Sequence, residues 1–387
     1  MLMEHLTTEP LAAARAIAPR LSARAQEAEQ LKTMPPDLVE DIRRAGLFRL
    51  ALPRSLGGFE LPPAAMVEVF EELCRADGSA GWTVVIGNST AFLAWLDPAV
   101  AAGLAEDPIG AGVFAPTGRL VPDGGGKLEL SGRWSFCSGS PHADLFFAGS
   151  HVMSGDRPRM IPGRGLDWRL AVVPAARTRV IDNWDVTGLR GTGSHDVVAE
   201  AVSLPEELTI SPFFEPARHD GPLWRFPFFT LIGTMMAGFP LGVARRALDE
   251  FTEAAPKKFR PGGEGSLAEE GDVQIALTRA EGRLQAARAF VFEALGELWA
   301  TACAGDVPDV AQRGRFLLAA QQAMRASLSA VNTAFAFAGA SAIHADHPMQ
   351  RCFRDIHAAA QHIYFSPAAA KRYAKIRLGI DQQTFWF

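Results

Sequence analysis

The residues of this chain that can do chemistry are few and widely spaced. His362 closes the run Asp355-Ile-His-Ala-Ala-Ala-Gln-His362. An imidazole with an unperturbed pKa of about 6.5 can move protons near neutral pH, and its ordinary alternative is a core histidine satisfied by a neighbour. Gly191-Thr-Gly193-Ser-His-Asp presents two hydroxyls, Thr192 and Ser194, but lacks the third glycine of a dinucleotide fingerprint. His344 and His347 form an HxxH pair without the third protein ligand that a catalytic zinc site needs. His142, in Ser140-Pro-His-Ala-Asp144, is expected to order a loop. Cys74, Cys137, Cys303 and Cys352 form no CxxC pair, so a zinc ribbon, a thioredoxin-type site and a disulfide framework are not expected. The chain also has no GxxxxGK[ST], HExxH or GxSxG. Nucleophilic hydrolysis and zinc chemistry are therefore poor readings of it.

The elements that must position these residues fall into three blocks. Up to about residue 110 the pattern is helical: Leu11, Ala14, Ile17, Leu21 and Ala25 recur at helical steps, and Met66, Val69, Phe70 and Leu73 share one face after Pro62. From 111 to about 215 the period shortens. Lys127 to Trp134 alternates after three glycines, and 145–149, 169–174 and 197–204 are short apolar runs, which predicts a small antiparallel β-domain. From 216 to 387 the helical period returns. Leu241, Ala244, Leu248 and Phe251 mark one stripe, Ala280, Leu284, Ala287 and Val291 a second, and Phe316, Ala320, Met324 and Val331 a third, which predicts a four-helix bundle. The Gly- and Glu-rich stretch 261–271 reads as a loop of that bundle. The expected class is α+β, in the order helical domain, β-domain, helical bundle.

With 38 basic and 43 acidic side chains the formal charge is −5, which gives no electrostatic footprint for nucleic acid or an anionic membrane. No signal-peptide run opens the chain and no transmembrane helix is expected, so the cysteine pattern is read as that of a cytoplasmic protein. There are 25 Phe and 8 Trp but only 2 Tyr, which suits an aromatic-walled pocket or a Phe-rich core.

The block order resembles the acyl-CoA dehydrogenase superfamily, and several motifs sharpen the resemblance. Arg75-Ala-Asp-Gly-Ser-Ala-Gly-Trp82 looks like the segment ending its helical N-domain. Trp134-Ser-Phe-Cys-Ser-Gly139 is similar to the strand lining the flavin ring, and Trp184 to Val197 resembles its "W…G-x-R-x-T-x-S…V" signature. Met236 to Gly242 fits its first bundle helix, and Arg351-Cys-Phe-Arg-Asp355 its late "R-x-x-R-D". The dehydrogenases' catalytic glutamate is absent from both of its usual places: 355–365 and 231–236 contain no glutamate, and no aspartate beyond Asp355 itself. Proton abstraction beside a thioester needs such a base. A second branch carries "R-D-x6-H" instead, and Arg354-Asp355 with His362 matches it. Its members are oxygenase components of two-component flavin monooxygenases, of the hydroxyphenylacetate-hydroxylase, dibenzothiophene-oxygenase and nitrososugar-forming types.

The resemblance implies a reduced-flavin-dependent monooxygenase that uses FMNH2 or FADH2 and O2, through a C4a-hydroperoxyflavin, on an aromatic or polycyclic small molecule. It implies His362 as the proton-transfer residue, either deprotonating a phenol or donating a proton, and Ser194 as the partner of flavin N5. Trp134, Ser138 and Thr192 would contact the ring. Arg260, beside Lys258, would reach the flavin phosphate of a neighbouring subunit. Arg354 and Asp355 would pair structurally. A separate NAD(P)H-dependent flavin reductase is implied, because no nicotinamide fingerprint is present, and so is a homo-oligomer, expected as a tetramer. A further histidine that several relatives carry near the end of the N-domain is replaced here by Val85-Ile-Gly-Asn-Ser-Thr90. A dehydrogenase with a displaced base and a catalytically dead binding protein of the same fold stay open at this point.

Overall fold

The computed structural model describes residues 2–104, 106–260 and 265–380, so part of the expected 261–271 loop lies outside the described residues. The N-terminal block contains α1 (Leu2–Ala23), α2 (Ala25–Leu31), α3 (Pro36–Arg44), α4 (Pro63–Ala76), α5 (Gly78–Gly87) and the short α6 (Pro98–Ala102). Prolines start α3, α4 and α6, where a missing N–H costs nothing. Asp77 both ends α4 and caps α5, its carboxylate accepting from the Ala80 N–H at 2.8 Å.

The strands follow: β1 (Gly110–Pro122), β2 (Lys127–Cys137), β3 (Leu145–Ser154), β4 (Arg157–Pro158), β5 (Met160–Ile161), β6 (Gly165–Leu166), β7 (Trp168–Pro174), β8 (Arg179–Ile181), β9 (His195–Pro205) and β10 (Thr209–Ile210). The main sheet runs β10-β7-β3-β1-β2-β9-β8. It is mixed rather than wholly antiparallel, because β1 and β3 pair in parallel, with Gly110 opposite Leu145. The β1–β2 hairpin returns the chain to the end where β1 began, so β3, joining on the far side of β1, must run the same way as β1.

The C-terminal block holds three long helices, α7 (Phe228–Ala254), α8 (Gly271–Cys303) and α9 (Val310–Ala338), followed by α10 (Pro348–Ala359) and α11 (Pro367–Arg377). The two short helices both pack on α9, and α10 also packs on α7, so together they take the fourth position of the expected bundle. Each predicted stripe is buried: Leu241, Leu248 and Phe251 on α7, Leu284 and Val291 on α8, Phe316 and Met324 on α9.

The segment Phe228–Lys257 is long and apolar enough to cross a membrane, yet 89% of its most apolar window is buried inside this fold. It is the central core helix, wedged between α4, α8, α9 and α10. One close approach makes that possible. A Cβ on Gly242 would lie 2.2 Å from the Glu71 carbonyl oxygen on α4, and one on Gly238 would lie 2.8 Å from Val67 O. The backbones of α4 and α7 therefore meet directly. Gly242→Ala is expected to force the helices apart and cost about 1–3 kcal/mol, read as a lower denaturation midpoint with unchanged helix content. A midpoint equal to the parent's would show that the contact yields freely.

Candidate active site

The hydroxyls singled out in the sequence come together between the β-domain and α5. Ser194 Oγ lies 2.6 Å from Thr192 Oγ1 and 2.8 Å from Ser138 Oγ. Thr192 donates to the Leu189 carbonyl at 2.8 Å, and at the other end the Trp82 indole N–H donates to Ser138 Oγ at 3.0 Å. All three hydroxyls are buried.

The carbonyl end of this chain decides its direction. A carbonyl oxygen only accepts, and a hydroxyl has one proton to give and two lone pairs. Thr192 spends its proton on Leu189, so Ser194 gives its proton to Thr192 and Ser138 gives its own to Ser194, while Ser138 accepts from the indole. Ser194 Oγ, with its own proton committed, keeps one free lone pair and presents itself as an acceptor.

His362 touches the same tryptophan. Its ring meets the Trp82 ring edge-on, with centroids 5.7 Å apart, and Phe239 of α7 meets Trp82 at 5.0 Å. His362 Nδ1 accepts from the Tyr364 N–H at 3.3 Å, which caps the turn after α10 and leaves the proton of the neutral ring on Nε2. Desolvation pushes the imidazole down to about 4, so at neutral pH it is uncharged. This neutral tautomer offers Nε2–H as a hydrogen-bond donor rather than as a proton to give away; accepting a proton at Nε2 first requires giving up the Tyr364 bond.

The turn that carries Thr192 and Ser194 is held from behind. Asp355, fully enclosed, accepts from the Leu189 N–H at 2.6 Å, and burial raises its carboxyl to about 7. Ser79 at the start of α5 accepts from the Gly191 N–H at 3.2 Å. Leu189 stands at φ 55°, in the left-handed region, and this strained residue is pinned on both sides.

Several expected residues are placed differently. Trp134 does not face a ligand: it is fully buried in the β-domain core, donates to Gly149 O at 2.8 Å, and packs on Phe146. The register of β2 against β9 shifts between Trp134 and Cys137, and Phe136 takes φ 67°, so the alternation breaks there. Phe136 is turned outward instead, 72% exposed beside Ser138, with Trp184 edge-on at 6.0 Å. Arg260 is not a free cation within this chain. It pairs with Glu270 at 2.5 Å and Asp272 at 3.6 Å, and lies over the Phe337 ring. Lys258 caps the end of α9 through Ala338 O and Ser341. Arg354 and Asp355 do not pair with each other: Arg354 binds Glu29 at 2.6 Å, and Asp355 holds the Leu189 amide. His142 bonds Thr33 at 2.8 Å, ordering its loop, and burial pushes it down to about 4. His347 caps α10.

Trp82 and Phe136 were not assigned roles from sequence. Trp82 stood inside the motif at the end of the N-domain, and Phe136 inside the Trp134–Gly139 motif; only their contacts distinguish them.

Known proteins share this fold and much of this sequence. Residues 11–97 match the acyl-CoA dehydrogenase N-terminal domain and residues 234–367 the acyl-CoA dehydrogenase C-terminal domain. The indole-3-acetate monooxygenase of Pseudomonas putida is 33% identical over 88% of this chain and 86% of its own length. The flavin-dependent monooxygenase oxygenase subunit HsaA of Rhodococcus jostii is 29% identical over 92% and 94%. Among solved structures, the 3-HSA hydroxylase from Rhodococcus sp. RHA1 superposes with a TM-score of 0.89 at 26% identity, covering 98% of this chain and 99% of that one. The chain therefore has the acyl-CoA dehydrogenase fold. Within it, the chain belongs to the family of flavin-dependent monooxygenase oxygenase components, and it is an oxidoreductase of that kind rather than a dehydrogenase with a displaced base.

Burial of His362 has a pH signature. Its folded pKa of about 4 lies below the unfolded value of about 6.5, so the stability this histidine supports is complete above pH ~6.5 and is lost as pH falls through ~4. Denaturant midpoints of His362→Asn and the parent, compared between pH ~7 and ~4.5, are expected to converge toward the acid end. Parallel curves would show the imidazole to be freely hydrated. Taking the difference between variant and parent removes the opposite trend from Asp355 and the like trend from His142.

Proposed function

We propose that this chain is the oxygenase half of a two-component system. It receives reduced flavin, FMNH2 or FADH2, from a separate NAD(P)H-dependent reductase and inserts one atom of O2 into an aromatic small molecule. The observation that supports this best is the one-way hydroxyl chain from Trp82 to Leu189, which leaves Ser194 an acceptor. An acceptor suits the N5–H of reduced flavin, whereas the bare N5 of the oxidised ring offers it no proton. The surroundings fit the same group. Phe136 and Trp184 form an apolar ledge beside Ser138, and no carboxylate bonds to the three hydroxyls among the described residues.

Bound reduced flavin supplies the activation of O2. The rest falls to the chain. Ser194 holds the proton at N5, Ser138 and Thr192 keep Ser194 oriented, and Trp82 and Phe239 close the space between α5 and α7 against water. His362 donates a hydrogen bond through Nε2–H to oxygen at the reacting position, keeping its proton. An aromatic acceptor is supported by the relatives, one of which is named for indole-3-acetate. A homotetramer belongs to the same reading: Ile275, Gly282 and Ala286 leave an apolar, small-residue strip of α8 uncovered in the single chain. A cytoplasmic location suits its four free cysteines. Light scattering is expected to give four times 41.6 kDa, and a stable monomer at micromolar concentration would remove that part of the proposal.

Two variants test the proposed roles. His362→Ala is expected to bind reduced flavin normally while product formation falls by about 10²–10⁴-fold, with the O2 consumed appearing as hydrogen peroxide. Product yield close to the parent's, at saturating flavin, would return His362 to the role of a core histidine. Thr192→Val keeps the bulk of the side chain but removes the hydroxyl that takes the Ser194 proton, which frees Ser194 to donate. Its preference for reduced over oxidised flavin, measured by anaerobic titration with each, is expected to shrink by about tenfold. An unchanged ratio would show that the direction of the chain does not select the redox state.

A further inference from the structure

A cavity of about 360 Å³ opens at the foot of α7, a volume on the scale of small-molecule sites. It lies roughly eleven residues, or ~16 Å along the helix, from Phe239 and so stands apart from the hydroxyl chain. Its walls are aromatic, chiefly Trp95, Phe213, Trp224 and Phe228. Three polar groups on the lining stand out because they have nothing to bind. Trp224 is only 5% exposed, and its indole N–H is buried with no acceptor among the described residues. His219 uses Nδ1 on Ser55 at 3.0 Å, while its Nε2 is buried without a partner. The Arg225 guanidinium makes no hydrogen bond or ion pair among the described residues.

Five other tryptophans contrast with Trp224. Trp82, Trp95, Trp134, Trp168 and Trp184 each donate to a protein acceptor. A buried N–H left unmade is costly, and native structures rarely carry one without a reason. Here two orphaned nitrogens and an unpaired cation line one space. The carboxylates on the lining do not serve them: Glu215 turns to Arg164 at 3.7 Å, and Asp220 is exposed at the rim.

We propose that this cavity binds an aromatic carboxylate, its ring held among Trp95, Phe213 and Phe228 and its carboxylate accepting from Arg225, the Trp224 indole N–H and His219 Nε2–H. Aromatic faces suit a planar ring, and a guanidinium with two further donors suits a carboxylate better than any neutral group. The inference rests on reading the chain as an oxygenase of aromatic acceptors and narrows the acceptor to an aromatic acid. Standing about 16 Å along α7 from Phe239, the cavity is a station that recognises the acid, separate from the hydroxyl chain.

The test is calorimetric titration of the full chain without flavin, using indole-3-acetate and its uncharged counterpart indole-3-acetamide as probes. The acid is expected to bind about tenfold or more tightly than the amide. Arg225→Gln is expected to abolish that preference by weakening the acid alone. Should Arg225→Gln fail to fold, Trp224→Phe carries the test, with a smaller loss confined to the acid. Equal binding of acid and amide, no binding of either at millimolar concentration, or a folded Arg225→Gln that keeps the preference would overturn the proposal. Reduced-flavin affinity, measured on the same samples, separates the two readings. Acid preference without flavin binding leaves the site standing and removes the oxygenase, whereas flavin binding without acid preference removes the site alone.

Discussion

The arrangement of the site depends on one hydrogen bond, from the Thr192 hydroxyl to the Leu189 carbonyl at 2.8 Å. A carbonyl can only receive, and a hydroxyl has a single proton to give. That commitment passes back through Ser194 to Ser138, whose remaining lone pair takes the N–H of the Trp82 ring. Three hydroxyls that would each rotate freely in isolation are thereby given one arrangement. The same ring meets His362 and packs on Phe239, so one side chain of the N-domain touches groups from the β-domain, α7 and the segment after α10.

Behind this arrangement lies a layer of buried charge. Asp77, Asp355, Glu29 and Arg351 are all nine-tenths or more buried, and burial raises the carboxyls of Asp77 and Asp355. Such groups cost desolvation energy and stabilise a fold only when their hydrogen bonds are well made. Here each is set against backbone or an opposite charge: Asp77 on the start of α5, Asp355 on the Leu189 amide, Glu29 on Arg354. The layer ties α2, α5, α10 and the 189–192 turn together, and these are the segments whose relative placement sets Trp82 against Ser138. Its value is in geometry more than in net stability.

The aromatic richness of the chain has two structural expressions. Part is plain core: Phe92 meets Phe114 and Phe147 edge-on at 5.2 and 5.9 Å. The rest lines surfaces a ligand can reach, at Phe136 and Trp184 beside the hydroxyls and at Trp95, Phe213 and Trp224 around the α7 cavity. Composition announces the abundance without distinguishing these uses, because a buried ring and a ligand-facing ring are the same residue in different surroundings.

By itself the sequence determined the three-block order, the buried stripes of α7, α8 and α9, and the missing carboxylate that separates this family from dehydrogenases. Each is a matter of local period or of a residue simply being present, and both survive folding. That Thr192 and Ser194 are two hydroxyls of one segment was legible for the same reason, while their hydrogen bond to each other is the fold's contribution. Tertiary structure alone decided that Trp134 is core and Phe136 faces outward, because a register shift and one positive φ reverse an alternation that period-two reasoning must assume. It decided that Arg260 is spent on Glu270 and Asp272. It also chose the tautomer of His362, which rests on an amide two residues away being turned toward Nδ1. The direction of the hydroxyl chain could come from nowhere else: Ser138 and Ser194 lie 56 residues apart, and only the packed fold joins them into a chain that ends on a carbonyl.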